Sequence, residues 1–315
     1  VNNSSADNFV APTVEQVTDH LEQHPPTGPS RLSAWGPLLI LGTVALLALA
    51  SNDARMQWLA WLALGGVVLF WAVRMKRMRD LDRMVVQVQE LGMRRYYPQS
   101  LRLAWQLLPR LSVIPQLHGR VVAFMAMCLD HLMAYDAAIA SYSYLIDRLP
   151  GEHPTRVHLQ LQRTIAQLAN DQLADADDAI RRLRGVIVEQ PGTPAFALYR
   201  FAQVYQNVRT FHYEEATRLD ADLLQTLRPL GVEAGYGHAL MALSHLQLAM
   251  RDAAEQPEAH RDEARTWWSR ATLLLPQDTL TTRYRELQPL LEDATVAAAQ
   301  RSSSPPMDEK SEAAT

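Results

Sequence analysis

Two rhythms of apolar and polar positions divide this chain. Leu32 to Ala50 reads LSAWGPLLILGTVALLALA and Met56 to Val73 reads MQWLAWLALGGVVLFWAV, neither with a charge, and Ser51 to Arg55 separates them. At about 1.5 Å per residue the first run makes a helix of about 28 Å, close to the hydrocarbon core of a bilayer. The linker has room only for a tight turn, so the pattern predicts a transmembrane hairpin, 32–50 and 56–74, whose outer flanks share one side. Trp35 and Trp71 then fall near that side and Trp58 and Trp61 near the turn, as interfacial aromatics prefer. A signal peptide fits poorly, since 31 mostly polar or acidic residues precede the first run. A hairpin buried in a protein core is the alternative, because each run lies near the lower length limit for crossing. Ahead of it, Val14, Val17 and Leu21 form one stripe of an amphipathic helix after Pro12, with the repeats or the membrane as its seat.

Beyond the hairpin the period becomes helical and recurs. Ala138, Tyr142 and Leu145 share one face and Pro150 ends the helix. Ala179, Leu183, Val186 and Pro191 repeat these steps, as do Ala264, Trp268, Ala271 and Pro276. A fourth, degraded copy keeps Tyr213, Ala216 and Leu223 but has Asp220 at a large apolar position and Pro229 one place late. Partner helices precede these with Val122, Met125, Ala126, Leu129 and with Leu198, Phe201, Ala202, Tyr205; Leu240, Leu243, Ser244 and Gln247 echo them.

This alternation resembles the tetratricopeptide repeat (TPR) family, a helix–turn–helix unit of about 34 residues. The marker alanines are spaced more widely, at 41 (179 − 138), 37 (216 − 179) and 48 (264 − 216) residues, which puts insertions in the turns, most clearly at Asp252 to His260. The resemblance covers Gln116 to Pro276, with a weaker pair, Met84 to Arg94 and Pro98 to Leu108, before it and a capping helix, Leu280 to Gln300, kinked at Pro289, after it. It implies an all-α chain: a two-helix transmembrane hairpin, then an α-solenoid of about four to five helix pairs and a C-terminal cap. The expected layout is a polar tail with a short amphipathic helix (1–31), the hairpin (32–74), a basic juxtamembrane helix with a divergent first pair (75–115), the repeats (116–300) and a disordered tail (301–315).

Charge orients this layout. Arg74, Lys76, Arg77 and Arg79 follow the second run, against Arg55 alone in the turn, so the positive-inside rule puts both termini and the repeats in the cytoplasm, as in a bacterial inner membrane. Beyond this topology signal, the same four side chains are the expected contact with anionic lipid headgroups. A net charge of −4 argues against nucleic acid as a partner. Cys128 is the single cysteine, so no intramolecular disulfide forms.

No motif carries catalysis, and no cofactor is implied. His20 and His24 stand four apart, but Glu22 between them breaks the zinc-protease pattern; His238 and His245, seven apart, lie too far along a helix to share an ion. Asp175, Asp177 and Asp178 read as helix-start acids in solvent. The expected function is a scaffold or adaptor that is not an enzyme and holds a protein or peptide in its concave groove. On the family pattern that groove is lined by Arg120, Asp130, His131, Tyr199, Gln203 and Asn207. Two alternatives stay open: a self-associating structural membrane protein, and a factor similar to bacterial cytochrome assembly proteins, which expose their repeats outside the cytoplasm.

Overall fold

The computed structural model describes residues 9–27, 54–187, 192–251 and 256–292, with isolated positions 36, 40, 42, 43 and 46. The described residues form helices and turns and no strand. Two compact units divide the chain, Val1–Leu159 and Gln160–Thr315.

The first unit contains α1 (Val14–Gln23), α2 (Ala54–Met93), α3 (Tyr97–Leu111), α4 (Pro115–His131) and α5 (Tyr135–Arg148). Proline opens α4 and stands second in α3, where its missing N–H costs nothing. Thr13 caps α1 in a capping box with Gln16. The sequence separates a second apolar span, a basic segment and a first repeat helix; α2 is instead one helix of 40 residues, about 60 Å long. No proline falls within it, and Gly65 and Gly66 are not enough to break it. The helix changes character along its length. Trp58, Leu62 and Leu69 near its start are about two-thirds or more exposed, whereas Val85 and Val88 are fully buried. There α2 packs against α3 and α4, and the core continues through Leu101, Leu108, Val122, Met125 and Leu129 to Tyr142.

α6 (Pro154–Ala169) carries the division between the units. The second unit continues with α7 (Leu173–Ile187), α8 (Pro194–Arg209), α9 (Tyr213–Thr217), α10 (Asp220–Leu227), a 3-10 segment (Arg228–Glu233), α11 (Ala234–Ala249), α12 (Pro257–Leu274) and α13 (Gln277–Arg283). Every residue of α11 except Gln247 is buried, as expected of a helix that is apolar all round. α12 packs along it, with Trp267 and Trp268 buried.

The repeat signature is buried where it is described. Ala138, Tyr142, Ala179, Leu183, Ala216, Ala264 and Trp268 are each at most 6% exposed, while Pro150 and Pro276 follow the ends of their helices and Pro191 lies outside the described residues. Three expectations need correction. Val186 is exposed and Ile187 takes the buried place beside Leu183, because the packed stripe of α7 runs through Ala176, Ile180 and Leu183. The degraded copy is two short helices, the break falling just before Asp220. The cap does not run unbroken from Leu280 to Gln300: α13 ends at Arg283, a short 3-10 turn (Arg285–Leu287) follows, and helix resumes at 288–292. Pro289 then stands in a first turn, where proline is tolerated, instead of kinking a continuous helix.

Repetition is clearest in the turns. Among the described residues, four non-glycine residues have positive φ: Arg95, Met133, Asp171 and Phe211. They recur at 38 (133 − 95), 38 (171 − 133) and 40 (211 − 171) residues, and a new helix begins two residues after each. All four turns carry the same two hydrogen bonds. Tyr96, Ala134, Gln172 and His212 donate backbone N–H to the carbonyls of Leu91, Leu129, Gln167 and Asn207 at 2.8–2.9 Å, and the preceding residue donates to the carbonyl three back. These are Schellman caps. Each leaves the chain reversed into a second helix.

Candidate functional site

The six residues expected to line a groove fall into the two units. In the first, Arg120 is exposed on α4 with its guanidinium 3.9 Å from Asp82 of α2. His131 and Asp130 are half-buried at the end of α4, and the His131 ring stacks on Tyr97 at 4.3 Å. In the second, Tyr199 is only 2% exposed. Its hydroxyl accepts from Gln203 Nε2 at 3.2 Å, and Gln203 Oε1 accepts from Arg200 at 3.1 Å. Burial raises the Tyr199 phenol above its ordinary pKa. The half-buried Asn207 gives its backbone carbonyl to the Schellman cap. Of the acidic group on α7, Asp177 does more than sit in solvent: it accepts from Gln206 of α8 at 2.7 Å and also meets Arg181.

The first unit also holds an arrangement that sequence spacing does not reveal. α1 lies in a furrow made by α3, α4 and α5, with Val17 and Leu21 fully buried. Histidines hold it there. The His20 ring stacks on Trp105 at 4.0 Å and its Nε2 lies 3.1 Å from the Trp105 carbonyl. His118 Nε2 lies 2.9 Å from the His24 carbonyl, and the Tyr144 hydroxyl donates to the Leu21 carbonyl at 3.3 Å. Thr27 N–H donates to the Ser112 carbonyl at 2.9 Å. Burial lowers the pKa of His20 and His118, partly offset by these carbonyl hydrogen bonds. The amphipathic stripe thus seats on the helices of its own chain, and HLEQH acts as a fastening whose partners lie 85 and more residues away.

A cavity of about 1060 Å³ opens where the basic segment of α2 meets the α3–α4 connection, lined by Arg74, Arg77, Met78, Leu81, Arg110 and Val113 among others. Among the described residues no group of three or more histidine, cysteine, aspartate or glutamate side chains is arranged to hold a metal ion. His245 meets His260, with Nδ1 atoms 3.2 Å apart. Cys128 is fully buried beside Ser100, and burial pushes its thiol up to about 11.

No protein-family model, curated protein or solved structure matches this chain. Among the described residues no helix is long and apolar enough to cross a membrane. Most of the first predicted span and the turn up to Asp53 lie outside the described residues, as do the side chains of 54–57, 59 and 60 in the second; Ile40 and Leu46, described within the first, are 66% and 72% exposed.

Proposed function

We propose that this protein is a membrane-anchored scaffold whose TPR-like helix pairs face the cytoplasm and hold a protein or peptide partner. The observation that carries the reading is the two-part character of α2: an exposed apolar stretch ending at Val73 runs without interruption into the buried first helix of the paired array. An exposed surface of that kind marks contact with lipid or protein. Hairpin topology draws support from α1. This helix precedes both apolar runs and rests on α3, α4 and α5, which follow them, the arrangement a hairpin with both flanks on one side of a bilayer requires. The four basic residues after Val73 favour the cytoplasmic side.

Cys128 makes the topology testable, because a buried thiol with its pKa pushed to about 11 leaves a silent background for labelling. Glu22→Cys on α1 and Glu263→Cys on α12 should react with an impermeant maleimide only after cells are permeabilised, and Ser51→Cys in the linker without permeabilisation. Opposite accessibility for Glu22→Cys and Glu263→Cys would rule out the hairpin. Labelling of both in intact cells would place the repeats outside the cytoplasm. Partner binding is read by crosslinking in intact membranes with Gln203→Ala and Asn207→Ala, which are half-buried, in place of the buried Tyr199. Loss of a discrete crosslinked species supports the groove; unchanged profiles remove these residues from it.

A further inference from the structure

We infer that the cavity at the base of the apolar part of α2 binds the phosphate headgroup of an anionic phospholipid; this rests on the membrane-anchored reading. Three arginines line it, Arg74 and Arg77 from α2 and Arg110 from the end of α3. Arg77 and Arg110 make no hydrogen bond or ion pair among the described residues. The one acid in the lining, Asp80, lies 3.7 Å from Arg83, outside the lining. Arg77 and Arg110 therefore bring positive charge to the cavity that no side chain among the described residues pairs, and a guanidinium matches a phosphate in charge and hydrogen-bond geometry.

The rest of the wall selects an amphiphile over a free ion. Met78, Leu81, Met84, Val113 and Ile114 line the same space, and Met78 and Val113 are 38% and 52% exposed. On α2 this wall follows directly after the exposed run Val68–Val73. A lipid whose chains lie along that run brings its phosphate to the level of Arg74 and Arg77, one turn further on. The volume of about 1060 Å³ admits a headgroup and glycerol with room for the start of the chains. Because Arg110 comes from α3, a lipid here ties the apolar segment to the first helix pair, which a diffuse basic stripe on α2 alone does not.

The test is native mass spectrometry of the full chain in a mild non-ionic detergent, with phosphatidylglycerol or phosphatidylcholine added. Phosphatidylglycerol should remain bound to the wild type, and the double variant Arg77→Ala/Arg110→Ala should bind it about 25-fold more weakly, about fivefold for each basic side chain removed. Arg94→Ala/Arg182→Ala, which removes the same charge outside the cavity, should bind like wild type, and Arg77→Lys/Arg110→Lys should keep most of the affinity. Equal binding by wild type and Arg77→Ala/Arg110→Ala, or equal retention of phosphatidylcholine by wild type, overturns the assignment. In a second arm, inorganic phosphate and water-soluble dihexanoyl phosphatidylglycerol compete for the site. Displacement by the short-chain lipid alone supports a lipid site, whereas equal displacement by phosphate makes it a free-anion site and overturns the proposal. Carbonate extraction reports the membrane anchor separately: a chain released from membranes that still binds the short-chain lipid through Arg77 and Arg110 retains the cavity and loses the hairpin.

Discussion

Gly235 and Gly185 turn the same chemical change into opposite outcomes. A Cβ built at Gly235, in the first turn of α11, meets Leu275 Cδ1 at 2.8 Å, Leu275 Cγ at 2.9 Å and Leu274 Cβ at 3.1 Å. Two of these atoms lie close to the backbone at the end of α12, where the Leu275 N–H donates to the Ala271 carbonyl at 2.9 Å, so rotating a side-chain tip does not clear them. Overpacking of this kind costs about 1–3 kcal/mol, and so near a helix start little helix propensity is recovered. At Gly185 in α7 the added methyl meets nothing within 4 Å, and alanine is favoured over glycine in a helix by about 0.5–1 kcal/mol. Gly235→Ala should therefore lower the thermal midpoint and Gly185→Ala raise it, by about 2–4 °C per kcal/mol for a unit of this size. Circular dichroism at 222 nm on both variants and wild type reads the signs. If Gly235→Ala raises the midpoint as much as Gly185→Ala, α11 and α12 do not approach as closely as described and the packing of the second unit is wrong.

Further expectations concern the core, the turns and the fastening of α1. Trp268→Ala removes a side chain only 4% exposed and should cost about 3–5 kcal/mol, seen as an early unfolding step in urea; an unchanged midpoint contradicts its place in the core. Met133→Gly relieves a left-handed backbone (φ 59°) on a side chain 44% exposed and should stabilise by about 0.5–1 kcal/mol after the extra freedom glycine gains when unfolded; a lower melting temperature argues against that backbone state. Native pKa values of His20 and His118 lie below the ordinary 6.5, so protonation opposes docking: α1 should be held fully above pH 6.5, loosen as the pH falls below it, and level off below the native values. Hydrogen exchange of the Val17–Leu21 amides at pH 7.5 and 5.5, corrected for intrinsic rates, measures this, and equal protection at both would remove the histidines from the fastening.

Much of the fold was legible because paired helices bury one stripe each, and that stripe has a fixed period. Val122, Met125, Ala126 and Leu129 are read from spacing and are all fully buried. Turn geometry was less visible. A left-handed cap usually advertises itself with glycine, but Arg95, Met133, Asp171 and Phe211 occupy these positions, so the 38-to-40-residue period was hidden from a reading based on alanines. The nominated groove residues show a different gap: Tyr199 sits on the helix the pattern assigns but is buried, because the same helical row serves packing or an open surface according to what neighbours it.

By itself the sequence determined the all-α class, the paired helices, the stripe of α1 and the place where apolar residues give way to basic ones, since these are local properties of period and charge. Tertiary structure alone decided that α2 continues unbroken from exposed to buried surroundings, that His20, His118 and Tyr144 gather around one helix, and that Arg110 joins Arg74 and Arg77 around a cavity. These meetings bring together residues far apart in the chain. Their free energy depends on surfaces that exist only once the helices have packed, and no local pattern records it.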